Sequence, residues 1–315
     1  MIFEVRVTAF ERPLLLRRAL ESLISQSHRR WRATVMDDSR SAAILEVVAA
    51  MGDDRIAYSR NPERIGAAAN IDQCFSPEPR EGGDYACVLE DDNYWLPDFL
   101  AKMATILAKH PWDLVLANQR IHEDGIGLRP ETDTTRGAWF SSGIVTPIEL
   151  RASLFLMEGL SNGGLLWRLG SRVDLRVGPH VRETGLHEAC RSLLVDRPFL
   201  FVAEASAVWT AIPKERTARS SESNRTISRG MQAIRDALLR QHGLELVTRA
   251  QYLAERTGLQ ALLVEALAYS GKPALAGVWL CGRRALACQA FLKGLAVRLV
   301  QPDPCVDYLR SIKLA

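Results

Sequence analysis

The sequence predicts an α/β protein, built on an open, mostly parallel β-sheet with helices on both faces and followed by a helical subdomain. Three observations carry this. From residue 2 to about residue 110, apolar stretches of strand length alternate with stretches at helical spacing. The polar clusters of that region fall just after the strands, where ligands sit in sheets of this kind. From about residue 228 onward only helical periodicity remains.

Phe3–Ala9 is the first strand, with bulky residues in alternation. Pro13 opens a helix whose Leu16, Leu20, Leu23 and Ile24 share one face. Trp31–Met36 is the second strand and ends in Asp37-Asp38-Ser39, before a short helix over Ser41–Met51. Arg55–Arg60 is the third strand, followed by Asn61-Pro62, and Gly66–Phe75 is an alanine-rich helix. A turn containing Pro77, Pro79, Gly82 and Gly83 leads to the strand Tyr85–Leu89, which runs into Glu90-Asp91-Asp92-Asn93. Pro97–Ala108 is a helix and Leu114–Asn118 a strand. Residues 119–180 are less regular, with a short strand over Leu165–Trp167. Leu186–Leu194 is a helix and Phe199–Ala203 a strand. Residues 214–229 are polar and basic and read as a loop or linker. Met231–Leu239, Ala250–Glu255, Leu259–Tyr269 and Leu275–Leu299 are helical.

Composition narrows the function classes. The chain has 315 residues, 47% hydrophobic and 24% charged, so disorder is excluded as its main state. A net charge of +3 gives no footprint for nucleic acid, which is not expected as a partner. Six scattered cysteines without C-x-x-C spacing read as reduced core thiols, and the six histidines form no zinc-type pair. No apolar run reaches membrane-spanning length, and the N-terminus reads as a strand, not a leader, so a cytoplasmic location is expected.

Glu90-Asp91-Asp92 is the most informative segment. Adjacent carboxylates repel unless a cation sits among them, and hard oxygen ligands suit Mg²⁺ or Mn²⁺. A solvated acidic turn before a helix is the plainer alternative for the segment taken alone. The context adds Thr8-Ala9-Phe10-Glu11-Arg12-Pro13 after the first strand and Asp37-Asp38-Ser39 after the second. Asn61, Gly66 and Asn70 follow the third strand, and Trp95-Leu96-Pro97 follows the acidic run. In this order and spacing the stretch from Phe3 to Leu100 resembles the nucleotide-sugar-binding half of GT-A fold glycosyltransferases of family 2. The resemblance implies a Rossmann-like GT-A domain over residues 1–213. It divides into a donor half at 1–118 and an acceptor half at 119–213, followed by the loop at 214–229 and a helical subdomain at 230–315.

It also implies a metal-dependent, inverting transfer of a sugar from a nucleoside diphosphate, a UDP-sugar first, to an acceptor hydroxyl. Asp92, with Glu90 where the family usually has Asp, would hold Mn²⁺ or Mg²⁺. Asp37 or Asp38 would accept from a base imide, and Thr8, Ala9, Glu11, Arg12, Asn70 and Asp91 would line the nucleotide. Arg64 would meet a phosphate, and Asn162, in Ser161-Asn162-Gly163-Gly164, would lie under the diphosphate. The general base is assigned to Glu188, then Glu183, then His187. Trp139 would stack on a sugar face. The structural alternatives are helix caps for the aspartates, strand-end and helix-start polarity for Thr8 and Glu11, a solvated charge for Arg64, an exposed ion pair for Glu188, a buried helix position for Asn70 and a core position for Trp139. Lys214 and Arg216 are read as a basic lid over the diphosphate, with a plain linker as the alternative. Lys272, Arg283, Arg284, Lys293 and Arg298, with no acidic residue between Ala266 and Pro302, suit a helical subdomain packed on the catalytic domain or on a second subunit. Peripheral contact with anionic lipid is the second reading. The acceptor is a saccharide, a lipid-linked species or a small molecule. A nucleotidyltransferase is disfavoured because Thr8–Pro13 lacks a glycine-rich phosphate loop; a non-catalytic nucleotide-sugar-binding protein is the other alternative.

Overall fold

The structure is a computed structural model, and it describes residues 1–137, 139–156, 159–211, 220–270, 289, 292 and 305–314. The chain divides into two compact units. The first comprises Met1–Ile144, Ser161–Gly178 and Phe199–Ala218, and the second Val145–Leu160, Pro179–Pro198 and Arg219–Ala315. The stretch 119–213 therefore contributes to both.

The first unit is built on a sheet. β1 (Phe3–Ala9), β2 (Trp31–Asp37), β3 (Ile56–Arg60) and β4 (Tyr85–Glu90) pair in parallel in the order β3-β2-β1-β4. The remaining strands are β5 (Tyr94–Trp95), β6 (Leu114–Glu123), β7 (Gly127–Leu128), β8 (Gly143–Val145), β9 (Leu165–Arg168) and β10 (Phe199–Ala211). From β4 the order continues β9-β6-β10-β5. β10 is parallel to β6, but β9 runs antiparallel to both β4 and β6, and β5 antiparallel to β10. The mostly parallel expectation thus holds for the first four strands and gives way to a mixed sheet beyond them. β9 is entered from a 3-10 turn at Asn162–Gly164, and pairs with β4 through Cys87↔Leu166 and with β6 through Val115↔Leu166. β6 and β10 extend well past their expected ends at Asn118 and Ala203.

Four helices flank these strands. α1 (Pro13–Ile24) carries proline at its start and buries Leu16, Ala19, Leu20 and Leu23, one stripe at i, i+3, i+4, i+7 spacing. α2 (Ala43–Met51) stops at Gly52, whose φ of 60° only glycine adopts cheaply. α3 (Ala67–Asp72) tightens into a 3-10 turn at Gln73–Phe75, and α4 (Phe99–Lys109) packs Phe99, Leu100, Met103 and Leu107 inward. The core joins these side chains to Phe3, Val5, Val7, Val35, Leu89 and Val115.

β1 is buried along its whole length, yet it carries Glu4 and Arg6. The two pair with each other: Arg6 Nη2 lies 2.6 Å from Glu4 Oε1, and Nε donates to the same oxygen at 2.9 Å. The other Glu4 oxygen accepts from the backbone N–H groups of Arg80 and Glu81, each at 2.9 Å. Arg6 also donates to the carbonyls of Cys74 at 2.9 Å, Glu78 at 2.6 Å and Ser76. A buried ion pair is tolerated when its remaining lone pairs and protons are matched, and here they bind down the connection from α3 to β4.

The second unit is helical. α5 (Pro147–Ser153) begins in a capping box, with Glu149 Oε2 accepting from the Thr146 N–H at 2.9 Å. α6 (Thr184–Leu194), α7 (Ser221–Thr257, broken at Gly243), α8 (Gln260–Tyr269) and α9 (Val306–Ser311) complete its described helices. Residues 221–229 are helix and not the second half of a polar loop. The Ser220 hydroxyl accepts from the Ser223 N–H at 3.0 Å and caps α7 ahead of its first apolar turn. The buried Arg235 donates from Nε to the Leu154 carbonyl at 3.0 Å, and burial pulls its guanidinium down to about 10. Tyr308 donates to the Cys190 carbonyl at 2.8 Å, which fastens α9 to α6.

The turn ahead of β9 leaves no room for a side chain: a Cβ on Gly164 would lie 2.3 Å from the Ala117 carbonyl oxygen. The Gly164→Ala variant is expected to lose about 2 kcal/mol or more, because the obstacle is backbone and cannot rotate away. A thermal melt against wild type checks this, and an unchanged midpoint contradicts it.

Candidate functional site

The carboxyl end of β2 is tied to β3 and to the segment after it by buried carboxylates. Asp37 is fully buried; its oxygens accept from the Ser39 N–H at 2.8 Å and the Tyr58 hydroxyl at 2.7 Å, with Arg60 at 3.4 Å. Burial, and then the hydrogen bond to Asp37, push the Tyr58 hydroxyl above its ordinary range. Asp38 is also buried and collects three donors from the segment after β3: Asn61 Nδ2 at 3.0 Å and the N–H groups of Ile65 and Gly66 at 2.9 Å each. Asn70 fills the space behind, donating to the Met36 carbonyl at 3.2 Å and accepting from Asn61 and Gln73. The two aspartates expected to meet a base therefore shape the loops that would border it.

Between them and β4 lies the segment after β1. Thr8 and Ala9 are buried at the strand end. Glu11 takes a left-handed φ of 50°, unusual for a residue other than glycine, asparagine or aspartate. Its N–H donates to Ser39 Oγ at 2.8 Å, and its carboxylate accepts from the Arg40 N–H at 3.2 Å. That turn sends the chain back toward β4 and brings Arg12 onto the acidic run. The Arg64 guanidinium covers the Phe10 ring at 4.5 Å, so it contacts an aromatic face here.

Within the acidic run the three carboxylates differ. Asp91 is buried: its oxygens accept from the Phe10 N–H at 3.1 Å, from Arg12 Nε at 3.2 Å and from Arg12 Nη2. Burial raises its carboxyl above the ordinary range, with Arg12 opposing and the Asp92 charge adding to the rise. Asp92 is the most open of the oxygens held by Arg12, with its side chain 22% exposed and Oδ2 2.5 Å from Arg12 Nη1. Burial pulls the Arg12 guanidinium down, but Asp91 and then Asp92 more than offset this, and it ends above its usual value. Glu90 is half-buried, and its Oε2 accepts from Asn93 Nδ2 at 2.8 Å. Gly163 faces this cluster: a Cβ there would lie 3.0 Å from Gln119 Nε2 and 3.5 Å from Glu90 Oε2. Asn162, buried beside Gly163, and Ser161, which donates to Gln119, complete that wall.

Among the described residues no three His, Cys, Asp or Glu side chains gather to hold a metal ion by themselves. The chemistry of Glu90 and the partly exposed Asp92 does fit a hard divalent cation that takes the rest of its shell from phosphate oxygens and water. That is the way Mg²⁺-type ions are commonly held, through one or two carboxylates.

The base candidates belong to the second unit. Glu183, ahead of α6, accepts from Ser223 Oγ at 2.7 Å, and Glu188 is half-buried on α6. His187 is buried, and its Nε2 donates to the Val181 carbonyl at 2.8 Å, so it braces the start of α6. Trp139 is buried, in line with its core alternative. Lys214 and Arg216 lie outside the described residues, as do the helix expected at Leu275–Leu299 in all but two positions and most of the basic tail.

Sequence reasoning missed several participants. Arg18 donates to the Asp92 carbonyl at 2.6 Å and to Thr210 Oγ1 at 3.0 Å, while Asn93 accepts from the Thr210 N–H at 2.8 Å. Gln119 and Gln73 were also passed over. The one available signal was polarity inside apolar runs, at Gln119 after Asn118 and at Arg18 in the first helix.

A model of glycosyl transferase family 2 matches residues 5–157. CgeD of Bacillus subtilis (strain 168) is 30% identical over 110 residues, 33% of this chain and 26% of that protein. EpsE of the same organism, named for glycosyltransferase activity, is 29% identical over 117 residues, 36% of this chain and 41% of that protein. The matches thus span less than half the length of these curated relatives. S. aureus TarS, solved in complex with UDP-GlcNAc, superposes with a TM-score of 0.59 at 15% identity and covers 93% of this chain and 89% of that one. The mannosyltransferase PcManGT from Pyrobaculum calidifontis, solved with GDP-Man and Mn²⁺, gives 0.50 at 14% identity and covers 99% and 83%. At these identities the likeness is one of fold.

The three donors on Asp38 generate a prediction. Asp38→Ala is expected to cost roughly 3 kcal/mol and to speed amide exchange across residues 61–66, because buried N–H groups lose a charged acceptor. Hydrogen exchange read by mass spectrometry checks it; unaltered protection of that segment contradicts it.

Proposed function

We propose that this chain, whose residues 5–157 match the model of glycosyl transferase family 2 and whose fold is GT-A, transfers a sugar from a nucleoside diphosphate to an acceptor hydroxyl with inversion. The observation that carries the reading is the convergence at one rim of the first unit. The segment after β1, the acidic run after β4 and the Asn162–Gly164 turn meet around Glu90, Asp91 and Asp92.

The residues divide the work. Asp37 and Asp38 hold the loops that border the base, and a uridine donor is the first choice. Asn162, Gly163 and Gln119 supply a wall of amides and main chain for the diphosphate and sugar. Asp92, with Glu90, would hold Mn²⁺ or Mg²⁺, which supplies Lewis-acid neutralisation of the departing diphosphate. Asp91 orients Arg12 and the Phe10 backbone and stays out of contact with substrate. Glu188, with Glu183 next, takes the proton from the acceptor hydroxyl. His187 is a weaker choice because it is buried and committed to Val181. The acceptor is a saccharide, a lipid-linked species or a small molecule. Among the described residues no helix is long and apolar enough to cross a membrane. A cytoplasmic enzyme, held at a membrane surface or to a second copy through its C-terminal helices, belongs to this reading.

Asp92→Ala is expected to abolish the Mn²⁺-dependent part of UDP binding and to lower sugar transfer by on the order of a hundredfold. Calorimetry with UDP, with and without Mn²⁺, checks it. Equal metal-dependent binding in wild type and variant removes Asp92 from its role.

A further inference from the structure

Arg12 is the residue at the rim whose contacts exceed a binding role. Its guanidinium takes both oxygens of Asp91 and one oxygen of Asp92. Asp91 has almost no solvent, its side chain being 1% exposed, so its charge needs that partner for the fold to stand. The third arm is different in kind. Asp92 is partly open to water, and the Arg12 side chain is 41% exposed, so the bond from Nη1 to Asp92 Oδ2 is not required to compensate a buried charge. It nevertheless covers an oxygen of the carboxylate that would otherwise be offered to a cation.

We propose that Arg12 is a built-in counter-cation which competes with the divalent ion for Asp92 Oδ2 and so sets the affinity of the site. The inference rests on the reading of Asp92 as the cation's ligand. In the absence of the ion, Arg12 quenches the repulsion between Asp91 and Asp92 and keeps the acidic run in place. When the ion binds, Nη1 leaves Oδ2 while Nε and Nη2 stay on Asp91, so the loop after β1 keeps its anchor. The released Nη1 protons then point at the same rim, where a phosphate oxygen can take them. Arg12 is a positioning residue in this account. Lysine cannot replace it, because a point charge spans one carboxylate and not two.

The test reads Mn²⁺ binding directly, from loss of the free-ion paramagnetic resonance signal, with Mn²⁺ alone and with UDP added. Arg12→Lys retains a charge for Asp91 and frees Asp92. The double variant Arg12→Gln/Asp91→Asn removes the buried charge together with its partner, so folding is not the issue. Both are expected to bind Mn²⁺ about tenfold more tightly than wild type, the measure of one charge-assisted hydrogen bond no longer to be broken. Adding Asp92→Asn to Arg12→Lys is expected to erase the gain. An unchanged or weaker Kd in both variants, no Mn²⁺ bound by any of the proteins, or a gain that survives Asp92→Asn overturns the proposal. Failure of every protein to bind UDP strikes the transferase reading instead, and the arm with Mn²⁺ alone still decides the competition.

Discussion

A carboxylate taken out of water must be surrounded by donors, and at the strand ends of this sheet that requirement is met three times over. Asp37, Asp38 and Asp91 are all buried, and apart from the Ser39 N–H on Asp37 their donors come from other segments of the chain. Asp38 draws in the loop after β3, Asp91 draws in the loop after β1, and Asp37 takes Tyr58 from β3 itself. The rim is therefore organised before any ligand arrives. Its loops are held by charge-assisted bonds in a region of low dielectric, where each bond is hard to replace.

The order of strands and helices through the first 110 residues was legible because period-two and helical patterns alternate cleanly there. The acidic run stood out too, since adjacent carboxylates at a strand end repel unless a cation sits among them, a place Arg12 takes in part here. What was not legible is who faces whom. Arg12 read as one more rim residue, because nothing in a linear chain says that a φ of 50° at Glu11 turns it toward residues eighty positions away. β9 read as a strand but its direction did not, since its antiparallel pairing with β4 and β6 is set by partners far away in the chain. The polar start of α7 read as a linker because its first turns carry so few apolar residues; its cap at Ser220 was the overlooked signal.

The division into two units bears on the chemistry assigned to each. Everything that would grip a nucleotide and its diphosphate lies in the first, on strands and their immediate loops. The residues considered for proton removal lie in the second, on and just ahead of α6. Rigid elements position the first set more closely than loops would. The second set rides on a helix whose entry is braced by His187 and by the bond between Ser223 and Glu183. On the proposed reading, donor binding and proton removal fall to residues of separately built frameworks.

The ion pair inside β1 has a consequence for how the chain finds its register. Glu4 and Arg6 point to one face of the strand, and Phe3, Val5 and Val7 to the other. A slip of one residue against β2 would exchange the faces, driving two charges among leucines with no carbonyls or amides to meet them. An apolar central strand would forgive such an error more readily. The pair thus acts as a proofreader of strand alignment, since the misaligned sheet would leave both charges without their partners.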